Sequence, residues 1–154
     1  MQNSNNTAIT EEDKKMFSED LKLLENRLNE IADDDFDKRS SITEKGGRPY
    51  KNSPKELAEG GIGYLKSNIE NGRPITISGL SLVLNTSRRQ LINLQRGRPD
   101  GKNNYDESFS NVVSTLKDFV GYYYEIMGER AKNPYFYIFA LRKLWGIDRN
   151  NLRK

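Results

Sequence analysis

Arg88, Arg89, Gln90 and Asn93 fall within six consecutive residues. They carry the groups that match base edges in the major groove: a guanidinium spans the two acceptors of guanine, and a side-chain amide pairs with adenine. Arg89 and Gln90 are the leading pair. Arg48, Lys51, Arg73, Arg96, Arg98 and Lys102 surround them in sequence, and residues 48–102 hold 10 basic against 4 acidic side chains. Such an excess attracts phosphate through counterion release. Catalysis has far less to draw on. The chain contains no Cys and no His, which removes thiolate chemistry, disulfides, imidazole bases and the usual ligands of zinc, copper or haem. The carboxylates are not spaced for a magnesium or glycosidase-like site. No catalytic residue, metal or cofactor is expected, and the chain does not read as an enzyme.

To act together, those side chains need a short helix held against another. Residues 76–95 supply the layout of a helix-turn-helix, with helices over about 77–84 and 88–96. Leu80 and Leu84 face inward from the first helix, and small Ser81 lets the second approach. Asn85 tolerates the left-handed conformation of the turn, Ser87 can cap the second helix, and Leu91 and Leu94 lock it in place. The plain alternative is a helical hairpin with a solvated outer face. Gly-Arg-Pro recurs at 47–49, 72–74 and 97–99; as a minor-groove hook it lacks further basic residues, since Asp100 follows the last copy, so it reads better as phosphate-contacting or ordinary loop.

The other segments are helical too. From Glu11 to about Ala32, Phe17, Leu21, Leu24, Leu28 and Ile31 recur at helical spacing, with Thr10 and three acidic residues at the start. Asp33-Asp34-Asp35 is expected to break this helix and open a linker over 33–52, so the narrow stripe reads as a docking or coiled-coil surface. Ser53-Pro54-Lys55-Glu56 starts a helix to about Asn71, in which Gly60, Gly61 and Gly63 imply a kink or a close neighbour. A long helix over about 106–127 ends at Gly128, and Asn133-Pro134 starts a last one that Gly146 stops. The expected class is all-α: a helix-turn-helix core, an N-terminal amphipathic helix and a C-terminal helical pair.

Charge divides the chain. Residues 1–45 hold 7 basic and 12 acidic side chains, whereas 46–154 hold 18 and 10, within a net charge of +3. An acidic arm (1–45) suits a protein partner, the region 46–104 suits DNA, and 105–154 suits self-association through Phe109, Val113, Leu116, Phe119, Val120, Tyr123, Phe136, Phe139 and Trp145. A base-stacking platform is the weaker reading of those aromatics, because Tyr122, Tyr123 and Tyr124 are consecutive and diverge around a helix. Without a leader pattern or an apolar run of membrane-spanning length, the chain is expected to be soluble, unsecreted and off the membrane.

Taken together, Gly47-Arg48-Pro49-Tyr50, the helix from Ser53, the run 74–84 with Ser87-Arg88-Arg89, and the ending 138–148 (IFALRKLWGID) resemble the small subunits of phage terminases, over about residues 46–148. Asn85 departs from the Gly usual in that family's turn. The resemblance implies a homo-oligomer, often a ring, in the host cytoplasm. It would bind double-stranded viral DNA as packaging starts and recruit or regulate the large subunit, which carries the ATPase and nuclease. The residues alone also fit a dimeric helix-turn-helix transcription regulator of phage or plasmid origin, or an adaptor that binds protein only.

Overall fold

A computed structural model describes the backbone of residues 9–42, 53–99 and 105–145, and the side chains of all of these except 32–42 and 144–145. The described residues form six helices and no strand: α1 (Glu11–Ile42), α2 (Pro54–Glu70), α3 (Ile77–Val83), α4 (Arg88–Gln95), α5 (Glu107–Arg130) and α6 (Tyr135–Trp145). The class is all-α. Arg48, Lys51, Lys102 and Gly146 lie outside the described residues, as does the Trp145 side chain.

The helix starts follow local chemistry. Thr10 and Asp13 cap α1 reciprocally, the Thr10 hydroxyl accepting from the Asp13 N–H and the Asp13 carboxylate accepting from the Thr10 N–H, both at 3.1 Å. Ser53, Thr76 and Ser87 each accept from the backbone N–H three residues on, and Asp106 accepts from the Ser108 N–H. Each such cap satisfies a donor that the helix cannot, for about 1 kcal/mol.

Three expectations change. The aspartates at 33–35 do not end α1, which runs on to Ile42; a helix-interior Asp costs well under 1 kcal/mol, and no Gly or Pro occurs between 33 and 45. Gly128 does not end α5 either. It lies within that helix, where a Cβ would come 3.1 Å from the Tyr137 Cβ, so its lack of a side chain brings α6 close.

The third change concerns what fills the core. α5 packs against α1, α2, α4 and α6. Its Phe109, Val113, Leu116, Phe119, Val120 and Tyr123, expected at a subunit interface, are buried inside this single chain. Part of the reason is that α1 is not a detached arm. Phe17, Leu21 and Leu28 of α1 are buried in the same core, and the Phe17 ring packs against Phe119, Tyr122 and Tyr123 with centroids 5.5–6.4 Å apart. Two polar contacts fix the register: the Tyr122 hydroxyl donates to Asp20 at 2.7 Å, and Arg130 pairs with Asp13. On the other side, Gly61 of α2 faces Leu116, where a Cβ would lie 2.5 Å from its Cδ1. Gly60 and Gly61 therefore serve close packing, against Leu84 and Leu116, whereas a Cβ on Gly63 would meet nothing within 4 Å.

Candidate nucleic-acid interface

α3 and α4 are joined by residues 84–87, and the expected internal contacts are present. Asn85 has a φ of 57°, a left-handed conformation that Asn tolerates better than most residues. Leu80, Ser81, Leu84, Leu91 and Leu94 are all buried. The Ser81 hydroxyl donates back to the Ile77 carbonyl at 3.0 Å, which satisfies it inside the seam between the two helices.

A brace from α2 sets where this pair sits. The Tyr64 hydroxyl accepts from the Thr76 N–H at 3.1 Å and donates to the Thr76 carbonyl at 3.3 Å. A Cβ on Gly79 would lie 2.2 Å from that hydroxyl. Thr76 caps α3 and Gly79 leaves room for Tyr64, so the Thr-Ile-Ser-Gly-Leu run has a structural reason: it orients α3, and through α3 it orients α4.

α4 turns Leu91 and Leu94 to the core and leaves Arg88, Arg89 and Arg96 exposed, with Gln90 and Asn93 half-buried. Residues 71–99 contain five arginines and no acidic residue. At about 100° per residue, Arg89 and Arg96 stand at the centre of the outward face, flanked by Ile92 and Asn93. Gln90 is turned toward the core side, so of the leading pair only Arg89 is central. Arg73 is exposed between α2 and α3, and Arg98 is exposed beyond α4.

Two residues bear on this face that the sequence does not single out, one on it and one at its edge. Ile92 is 43% exposed between the arginines; its spacing from Arg88 and Arg89 gives its place, but an apolar type draws the eye to the core. Lys117 comes from α5, and its ammonium donates to the Gln95 side chain at 3.0 Å. Burial holds its pKa below the usual lysine value; Arg88 adds to that shift and Asp118 opposes it. It ties α4 to α5 and places a further cation near Arg88. No local pattern could reveal it, because Lys117 and Gln95 are 22 residues apart.

Among the described residues, no group of acidic side chains is placed to hold a metal ion. No helix there is long and apolar enough to cross a membrane. No protein-family model matches the chain, and no curated protein or solved structure matches it either.

Proposed function

We propose that this chain binds duplex DNA through α4 and acts as the small subunit of a terminase-like packaging machine. In this reading it assembles as a homo-oligomer and recruits or regulates a large subunit with ATPase and nuclease activity. The observation that carries the DNA part is the outward face of α4, where Arg88, Arg89, Asn93 and Arg96 project from a short, capped and braced helix in a stretch without acidic residues. In the major groove, Arg89 would pair with guanine and Asn93 with adenine, while Arg73, Arg96 and Arg98 meet phosphate. The packaging role rests on the resemblance over residues 46–148.

The test is a fluorescence-anisotropy titration with duplex DNA at about 0.1 M salt, where affinity is sensitive to individual phosphate contacts. Arg88→Glu/Arg89→Glu should weaken binding roughly 100-fold or more, with the circular-dichroism spectrum and assembled mass unchanged. Unaltered affinity would remove α4 as the contact.

A further inference from the structure

α6 leaves an apolar face uncovered among the described residues: Tyr135 is 76% exposed, Phe136 60%, Ile138 40% and Phe139 61%. Its opposite side, Tyr137, Ala140 and Leu141, packs on the core. Four large apolar side chains within five residues form a contiguous patch, and such patches mark interaction surfaces. The face is also basic. Arg142 and Lys143 are exposed one turn on, the Lys143 ammonium lies 5.7 Å from the Phe139 ring centroid, and residues 131–143 contain three basic and no acidic side chains.

A line of glutamates around one exposed leucine runs along α1, with exposed Lys15, Lys22 and Arg27 to either side. Leu23 is 69% exposed, and Glu12, Glu19 and Glu30 are exposed with it. Steps of seven, four and seven residues separate Glu12, Glu19, Leu23 and Glu30, which puts them in one line along the helix. From Glu19 to Glu30 is about 16 Å, the length of an eleven-residue helix such as α6. Residues 146–154 match the α6 face poorly in charge, because they contain Arg149, Arg153 and Lys154 against one acidic residue.

We infer that the α6 face of one copy docks on the outer stripe of α1 in the next copy, with Leu23 meeting the aromatic patch and the glutamates facing Arg142 and Lys143. The inference rests on the homo-oligomeric part of the reading above. The two surfaces differ, so the contact is head-to-tail, and such a contact repeats into a closed ring or an open filament.

Light scattering on the full chain over a concentration series tests this with two charge reversals, Arg142→Glu/Lys143→Glu and Glu12→Lys/Glu19→Lys/Glu30→Lys, their helicity checked by circular dichroism. The wild type should assemble, and each variant should need at least tenfold more protein to do so. An equimolar mixture of the two should assemble again with the two variants alternating, because the reversed α6 face matches the reversed α1 stripe and the two native faces match each other. Both sets in one chain should restore assembly. If the α6 reversal alone prevents assembly and the α1 reversal does not, α6 meets another surface and the inference is overturned. Assembly indifferent to both reversals overturns it as well. A monomeric wild type overturns it together with the homo-oligomeric reading, while DNA binding stands or falls separately on Arg88 and Arg89.

Discussion

α4 and α6 are both short helices seated on α5, yet they turn opposite chemistry outward. α4 buries Leu91 and Leu94 and exposes three arginines around one isoleucine; α6 packs through Tyr137, Ala140 and Leu141 and exposes three aromatics, an isoleucine and two cations. A face of guanidinium and amide groups keeps its water until a polyanion replaces it, and charge attraction is then the main gain. An aromatic face left in water costs about 25 cal/mol per Å² of apolar area relative to a buried one, and gains most from an apolar partner. The same support therefore presents one helix suited to DNA and one suited to protein.

The two helices differ most in what seats them. Leu94 is fully buried, and Leu94→Ala should destabilise the fold by about 2–5 kcal/mol and reduce DNA binding with it, because α4 loses its anchor. Phe139→Ser, on the outward face of α6, should change stability by no more than about 0.5 kcal/mol while weakening self-association. Urea denaturation read beside anisotropy and light scattering separates the two outcomes. Equal losses of stability would mean that the α6 face is covered within the chain itself.

Gly79→Ala sharpens the α4 side without altering any charge. The new methyl would meet the Tyr64 hydroxyl, displacing the brace and both of its hydrogen bonds to Thr76. A cost of about 1–3 kcal/mol is expected, together with weaker DNA binding at unchanged net charge. Full affinity in a destabilised Gly79→Ala protein would show that α4 needs no brace from α2.

The α3–α4 unit was the most legible part of the sequence because its contacts are local. The cap at Ser87, the left-handed Asn85 and the buried positions at 80, 84, 91 and 94 all lie within twenty residues, and each follows from the type of a single residue. The place of α1 was not legible. Its stripe, Phe17 to Ile31, is covered by α2 and by α5 residues about a hundred positions away, such as Phe119 and Tyr123 for Phe17, and periodicity names a buried face without naming what buries it. Set apart as an arm, α1 left the α5 stripe in apparent surplus, and that surplus read as a subunit interface. Gly128 misled for a related reason: glycine ends helices and also permits close approach, and only the position of Tyr137 decides between them.

The smallest effect concerns the join between α1 and α5, the support on which both faces depend. The Tyr122 hydroxyl donates to Asp20, and that carboxylate, with burial adding to it, pushes the phenol up to about 12 from 10.0. Burial also pushes Tyr123 and Tyr124 up to about 12. A phenol raised in the folded state binds its proton more tightly there than in the unfolded chain, so its stabilisation is complete below pH 10 and lost as pH rises toward 12. Thermal melts should fall steeply across that interval. Tyr122→Phe should cost about 1 kcal/mol at neutral pH and make the alkaline fall shallower, because one of the raised phenols is gone. If the variant and the wild type fall in parallel between pH 10 and 12, the Tyr122–Asp20 contact does not hold α1 to α5 in solution.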